Sequence, residues 1–498
     1  MSSRTNLLKY LALLALLAGG FGLRMVDLTD QPIDFHPTRQ LRSAIIARGM
    51  YYQLLPTADP VQRELARSFW LSTGQYEPPM LERLVAATYL LAGTEELWIA
   101  RIYTSLFWII AAIALFDLAR RMATKAAWGS ALIAAAYFVF LPFGVQASRS
   151  FQPDPFMVMW IVSAANLLYR WSEQQTWKRA LLFGLLAGMA VLTKVVAFYI
   201  VGGAALGLVL FTLGFKRSLR SPHAWAMLVL TLAPSAIYYL GRSGRASEFF
   251  SSWTLALSHL LLDPATYARW LSMLSDLMGL AALMAGLVGV LIAAPRQRAF
   301  LLGLWGGYLV YGLFLPYQMY THNYYHLQLI PIIALSLVPV VELVVEAVQS
   351  QKFIGRAALV GVILVGIGFA SLLSIVEFRQ EDHRVETAYW QEIASYLPVD
   401  GKIIALTQDY GYRLMYYGWR KVTLWPNRGE RAISSLRGSE KEFEEYFSKR
   451  TEDKSYFLIT AFNQFEDQPD LMKMLEEHFP VVAEGTGYLI YDLENPLQ

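Results

Sequence analysis

Residues 357–376 read AALVGVILVGIGFASLLSIV, twenty consecutive positions without one ionisable side chain. Wound as a helix at 1.5 Å per residue, that run measures about 30 Å, the thickness of a bilayer's hydrocarbon core. Working outward, comparable stretches recur at Leu7–Leu23, Leu97–Ala119, Ala126–Ala147, Pro155–Tyr169, Ala180–Thr193, Val195–Leu213, Trp225–Leu240, Leu277–Ala294, Phe300–Pro316 and Leu327–Val348. The pattern predicts an α-helical polytopic membrane protein with about eleven transmembrane helices. Pro155–Tyr169 and Ala180–Thr193 are short for a full crossing and read as tilted, partial or re-entrant. Composition agrees: of 498 residues, 55% are hydrophobic and 16% charged, against roughly 45–50% and about 25% in soluble domains. Disordered, collagen-like and small disulfide-framed classes are excluded. Without cysteine there is no disulfide, thiolate metal site or cysteine nucleophile. A net charge of +3 gives no footprint for nucleic acid.

Short loops set the orientation, because Lys and Arg are retained on the cytoplasmic side. Alternate loops carry Arg120, Arg121 and Lys125; Arg170, Lys178 and Arg179; Lys216, Arg217 and Arg220; Arg296 and Arg298; Lys352 and Arg356. Arg4 and Lys9 place the N-terminus on that same side. Intervening loops hold far fewer cations, chiefly Arg149 and Lys194. The expectation is a multi-pass plasma-membrane protein of a bacterium or archaeon, with a cytoplasmic N-terminus, a retained first helix and an extracytoplasmic C-terminal part.

Two stretches interrupt the hairpins, dividing the chain into a membrane part at 1–377 and a C-terminal domain at 378–498. The first is the external loop Arg24–Glu96, read as part of the membrane domain. Pro37 opens a helix whose Leu41, Ile45 and Ile46 oppose Arg39, Arg42 and Arg48; Val61–Leu71 follows with Arg63 and Arg67. Apolar and basic sides predict interfacial helices in the headgroup region. After Glu377 the composition is ordinary. β-rich runs at Lys402–Thr407, Lys421–Trp425, Tyr456–Thr460, Pro480–Val482 and Tyr488–Tyr491 alternate with helical patterns at Val385–Tyr396, Lys441–Lys449 and Asp470–His478. This predicts a soluble α/β domain, and no Gly-rich phosphate loop assigns it a nucleotide.

Ionisable residues near the membrane are costly and usually mark a site. The predicted topology sends four groups outward: Asp34 and His36; Arg149, Gln152 and Asp154; Lys194; and His322, Asn323, Tyr324, Tyr325 and His326. The spans are almost free of charge, so the pattern describes an enzyme at the external interface. Paired acids for glycoside hydrolysis are missing. A phosphate leaving group needs no proton; it needs cations to receive it and one base for the acceptor's proton. Lys194 and Arg149 supply charge, and Asp34 supplies the base. No D-x-D occurs, so the usual clamp for a nucleotide-sugar–metal complex is absent, and a lipid-phosphate sugar fits better.

At these residues the sequence resembles the GT-C clan of polytopic glycosyltransferases, in its protein O-mannosyltransferase and lipid A aminoarabinose transferase branch (family 39-like). The resemblance covers roughly residues 7–376. It rests on D-F-H-P-T-R-Q-L-R-S-A-I-I-A-R from Asp34, Y-E-P-P-M-L-E-R-L from Tyr76 and S-R-S-F-Q-P-D-P-F from Ser148, with L-T-K ending at Lys194 and H-N-Y-Y-H-L-Q-L-I-P from His322. It implies a polyprenyl-phosphate sugar donor and a lipid, glycan or protein acceptor. The family's catalytic acid falls on Asp34, its second loop acid on Asp154, and its lipid-phosphate neighbourhood on Lys194. Where the family commonly carries an acidic pair, this chain has Asp34-Phe35. The W-W-D-Y-G signature of oligosaccharyltransferases is absent.

Each assignment has a plainer counterpart. Asp34 could serve as a helix cap ahead of Pro37, which the helix dipole favours by about 0.3–1 kcal/mol; Asp27 and Asp30 compete with it as base. Asp154 could cap the helix that follows, Lys194 could snorkel, and Arg149 could bind a headgroup. Asp154, His36, Glu77, His322, Tyr325 and His326 are assigned to substrate contact. For Glu77 a turn acid before Pro78-Pro79 is the plainer role, and for the histidines a headgroup hydrogen bond. His322 and His326, four apart, could share a divalent metal with Asp34 or His36; the reading preferred has no metal and no cofactor. Trp70, Tyr76, Tyr317 and Tyr320 read first as interfacial belt residues. The function expected is inverting transfer of a sugar at the outer face, with the C-terminal domain covering the site or recognising the acceptor. The alternatives are a lipid or sugar transporter with an external accessory domain, and a membrane sensor whose C-terminal domain binds ligand.

Overall fold

The computed structural model describes residues 3–74, 77–240, 251–349, 353–436 and 442–497; Tyr76 and Lys352 lie outside them, as does the side chain of Arg4. The chain divides into two compact units. One comprises Met1–Leu28, Tyr76–Leu81 and Trp98–Gln380; the other comprises Thr29–Gln75, Glu82–Leu97 and Glu381–Gln498.

In the first unit every apolar stretch read from the sequence falls on a helix. Among the described residues five helices are each long and apolar enough to cross a bilayer: Asn6–Arg24, Trp98–Met122, Pro222–Leu240, Asn323–Val348 and Phe353–Phe378. Two bent pairs bring the number to seven: Ala127–Phe140 with Pro142–Ser148, at 60°, and Pro264–Met278 with Leu280–Ile292, at 100°. Ala197–Leu213 is a shorter apolar helix. The chain is thus a multi-pass membrane protein. The first bend follows from sequence, since Pro142 supplies no N–H and opens a new helix. Pro264–Met278 escapes a hydropathy scan because polar residues punctuate PATYARWLSMLSDLM.

Small residues allow the closest helix contacts. Helix Pro295–Phe314 meets Ala197–Leu213 backbone to backbone: a Cβ on Gly303 would stand 2.3 Å from the Gly203 carbonyl oxygen, and one on Gly307 2.1 Å from that of Tyr199. Such approaches are how helices pack where no water drives them together. Trp108, fully buried, stacks on Phe138 with centroids 4.2 Å apart and donates to the Phe138 carbonyl at 3.1 Å. Glu342, also buried, accepts the backbone N–H groups of Thr124 and Lys125.

In the second unit a five-stranded sheet runs β2-β1-β3-β5-β4, with β1 at Ile403–Leu406, β2 at Thr423–Leu424, β3 at Tyr456–Ile459, β4 at Val481–Gly485 and β5 at Tyr488–Asp492. The first three strands in this order are parallel, and β5 and β4 add antiparallel. Continuous apolar β1 (IIAL) is buried at every position, as parallel strands covered on both faces require. Helices Phe443–Thr451 and Pro469–His478 bring Phe447, Leu471 and Leu475 to the core around Trp425 and Phe457.

The sequence grouped the whole loop Arg24–Glu96 with the membrane part. Instead, residues 29–75 and 82–97 cluster with 381–498. Helix Pro37–Leu54 is correspondingly no headgroup helix with a basic face: Gln40, Leu41 and the whole run Ser43–Tyr51 are buried. Arg48, assigned to the wet side, is buried with Glu95 at 3.0 Å and also donates to the Tyr416 carbonyl. Helix Pro60–Ser72 is one-sided as expected, with Ala66 and Phe69 buried. It lies close against the first helix, since a Cβ on Gly49 would meet the Trp70 side chain at 2.5 Å.

Candidate active site

In the first unit, helix Asp154–Glu173 opens on Asp154-Pro155, and helix Trp177–Thr193 ends at Lys194. An acid in a first turn and a cation past a last turn both suit the helix dipole. The two ends meet: Lys194 Nζ lies 2.8 Å from Asp154 Oδ1, with side-chain exposures of 7% and 1%. Two rings flank the ammonium, with Nζ 5.2 Å from the Tyr324 centroid and 4.9 Å from that of Tyr325, within cation–π range. Tyr325 in turn stacks on Tyr311 at 6.2 Å and 12°.

The rings come from the segment that follows Pro316. Helix Pro316–Thr321 gives way to a 3₁₀ turn at Asn323–His326. At three residues per turn a spacing of four no longer shares a face. His322 stays half-buried, its Nδ1 2.6 Å from Thr321 Oγ1 and its ring 5.8 Å from Tyr325. His326 points inward and is fully buried. Its Nε2 is 2.9 Å from the Met319 carbonyl, which only accepts, so Nδ1 accepts from the Tyr308 hydroxyl at 2.6 Å. Trp270 Nε1 donates to that hydroxyl at 3.2 Å. Both nitrogens are committed to an interior network, which removes His326 as a sugar contact and the His322/His326 pair as metal ligands. Among the described residues no group of three or more His, Asp or Glu could hold a metal ion.

Arg149 belongs to the same unit and is 1% exposed. It donates to the carbonyls of Val26 at 2.6 Å and Asp27 at 2.9 Å, and its guanidinium lies 4.1 Å from the Phe378 ring centroid. Arg101 also donates to the Asp27 carbonyl, at 3.3 Å. Arg24 bonds Ser148 Oγ at 2.7 Å and the Gly20 and Val139 carbonyls. Gln152 is buried and donates to Ser150. Glu77, half-buried, sits just before Pro78-Pro79 and helix Met80–Ala92.

Asp34 belongs to the second unit. It does not cap helix Pro37–Leu54: the cap position is His36, left-handed at φ 46° with no side-chain capping bond. Half-buried Asp34 accepts at Oδ1 from Gln40 Nε2, 3.1 Å away, and the same amide donates to the Phe35 carbonyl at 2.7 Å. Of its rivals, Asp30 is buried and accepts the backbone N–H groups of Gln31 and His383. Asp27 lies in the first unit, its carbonyl held by Arg101 and Arg149.

Residues 76–239, about a third of the chain, match the family model "Dolichyl-phosphate-mannose-protein mannosyltransferase". No curated protein matches the sequence. Among solved structures, ArnT from Cupriavidus metallidurans, bound to undecaprenyl phosphate, aligns with TM-score 0.55 at 15% identity, covering 99% of this chain and 98% of that one. The oligosaccharyltransferase AglB of Archaeoglobus fulgidus, in complex with an inhibitory peptide and a dolichol-phosphate, aligns with TM-score 0.53 at 13% identity, covering 96% and 74%. The arabinofuranosyltransferase AftD from Mycobacteria gives 0.53 at 14%, covering 96% and 41%. The chain has the GT-C fold.

Within that fold several residues matter that the linear chain does not single out. Arg24 sits at a span end and reads there as a boundary, and Arg101 lies inside the second span; an arginine at the outer end of span one, against the charge rule, is the signal available. Arg48, Glu95 and Tyr416 form a buried triad in the second unit, where the Tyr416 hydroxyl also donates to Glu95 and Arg48 lies 3.6 Å from the Tyr416 ring centroid. Burial works against the Arg48 cation, but Glu95 and Tyr416 outweigh it and raise the guanidinium's pKa. Arg413 behaves alike: burial disfavours its charge, and Asp409 and Glu386 more than restore it. Nothing local marks the triad, whose members lie tens to hundreds of residues apart.

Proposed function

We propose that this protein is a membrane glycosyltransferase of the GT-C type, transferring a sugar from a polyprenyl-phosphate donor to an acceptor at the outer face of a plasma membrane. The observation that carries this reading is the buried Lys194–Asp154 pair beneath Tyr324 and Tyr325. It sits in a fold shared with structures bound to undecaprenyl phosphate and dolichol-phosphate. Asp34 acts as the general base. The acceptor oxygen attacks the anomeric carbon, its proton passes to the Asp34 carboxylate, and the carbon–oxygen bond to the phosphate breaks with its electron pair on the phosphate. Attack opposite the departing group inverts the configuration.

The leaving lipid phosphate gains negative charge, and Lys194 with Arg149 receives it. Asp154 holds Lys194 in place at 2.8 Å until the phosphate competes for it. His36, Glu77, His322 and Tyr325 supply hydrogen bonds and an aromatic face to sugar or acceptor. The purified protein, incubated with a panel of polyprenyl-phosphate sugars with and without chelator, is expected to release polyprenyl phosphate. Movement of a sugar lipid across vesicles with no such release overturns the reading. Asp34→Asn is expected to lower turnover by about 10²–10⁴-fold with an unchanged melting temperature; near-normal turnover removes Asp34 as the base.

A further inference from the structure

Helix Pro37–Leu54 opens on His36, whose side chain makes no capping bond, and through Gln40 this helix start holds Asp34. A carboxylate from the far end of the chain bonds a side chain of this first turn. Thr38, in the first turn, donates its hydroxyl to Asp409 Oδ1 at 2.9 Å, across 371 residues. A negative charge beside a helix N-terminus is favourable.

Asp409 is itself tightly placed. Its other oxygen accepts from Arg413 Nε at 2.6 Å, and Arg413 reaches Glu386 at 3.0 Å. Its backbone is left-handed (φ 51°), as are those of Tyr410 (φ 55°) and Gly411 (φ 71°). Two consecutive non-glycine residues in that region persist only where their surroundings impose it. Here Gln408, next in line, exchanges hydrogen bonds with the Thr460 carbonyl and hydroxyl, and Thr407 and Thr460 bond each other at 2.7 Å.

These residues follow β1 and β3 at their carboxyl ends. The chain leaves β1 for β2 on one side and returns to β3 on the other, so this is the sheet's topological switch point, where α/β sheets place their functional loops. We infer that Asp409 is a positioning residue of the transferase: the left-handed turn Asp409–Gly411 holds the helix's first turn from outside, through Thr38, and fixes the loop bearing Asp34 and His36. The inference rests on Asp34 being the base. It assigns the C-terminal α/β domain a part in catalysis through another residue rather than through contact with substrate.

The test uses the full-length protein in detergent. Asp409→Asn and Thr38→Val each remove the charged acceptor or the donor, and Thr38→Val leaves the Asp409–Arg413 pair intact, so a folding failure of the first does not decide the matter. Misplacing a reacting group by an ångström costs about 10²-fold. Each variant is expected to lower kcat about 10- to 100-fold, with donor KM changed less than about threefold. The double variant is expected to be no worse than the worse single, and Asp409→Glu to recover part of the loss. Hydrogen exchange should quicken at the backbone amides of Arg39–Ser43, a readout independent of turnover. Asp34→Asn is run alongside. If it abolishes turnover while Thr38→Val and Asp409→Asn keep kcat within twofold and leave exchange unchanged, the positioning role is overturned and the proposed function stands. Should Asp34→Asn remain active, the base assignment itself is wrong, and the inference goes with it.

Discussion

Lys194 and Asp154 each stand out in the sequence, but their pairing does not. Forty residues separate them, and only the meeting of one helix's end with another's beginning makes the contact. Burial penalises each charge and the other offsets that penalty, so breaking the pair by a single replacement costs about 3–5 kcal/mol. Lys194→Met alone is expected to lower the melting temperature clearly. Lys194→Met with Asp154→Asn removes both charges and is expected to regain most of it, with no recovery of sugar transfer. Thermal unfolding in detergent, read beside the transfer assay, separates the two roles; a double variant as unstable as the single shows that the pair does not hold the fold. His326 shows the opposite outcome. Its spacing from His322 suggests one helix face, and the 3₁₀ turn at Asn323–His326 turns it into the interior instead.

Helices in this protein are set by hydropathy in their existence and by glycine in their spacing. Gly303 and Gly307 let helix Pro295–Phe314 touch Ala197–Leu213 along the backbone, whereas a Cβ on Gly306 of the same helix would meet nothing within 4 Å. Gly303→Val is therefore expected to separate the two helices and lower the yield of folded, monodisperse protein, and Gly306→Val to be nearly neutral. Size-exclusion profiles of the two variants check this, and equal behaviour removes the packing argument. Helix Pro37–Leu54 is visible as a helix from Pro37 onward, but its surroundings are not. A mixture of arginines and apolar residues reads as amphipathic only when the arginines face water, and Arg48 faces Glu95 and Tyr416.

The two compact units are interleaved in sequence, because residues 29–75 and 82–97 belong with 381–498. Cutting the chain after Gln380 thus removes more than an appended domain. Arg48 and Glu95 would lose Tyr416, and Thr38 would lose Asp409. The truncated chain is expected to expose residues 29–75 and 82–97 to rapid limited proteolysis, while the intact protein resists it there. A truncated form equally resistant shows that this region folds without the C-terminal residues. A milder version acts inside the same unit: Glu95→Ala leaves Arg48 buried without its carboxylate and is expected to destabilise by about 3–5 kcal/mol, measured by chemical unfolding.

Apolar runs long enough to span a bilayer, alternating β-rich and helical stretches after Glu377, and a few acids and cations beside the spans were all legible in the linear chain. They are local properties: hydropathy and periodicity act within one element and need no knowledge of its neighbours. The partner of each charge, the inward turn of His326, the membership of residues 29–75 and 82–97 and the Thr38–Asp409 bond were decided by tertiary structure alone. Ion pairs, hydrogen bonds and close packing act over a few ångströms, and the groups that satisfy them here stand up to 371 residues apart.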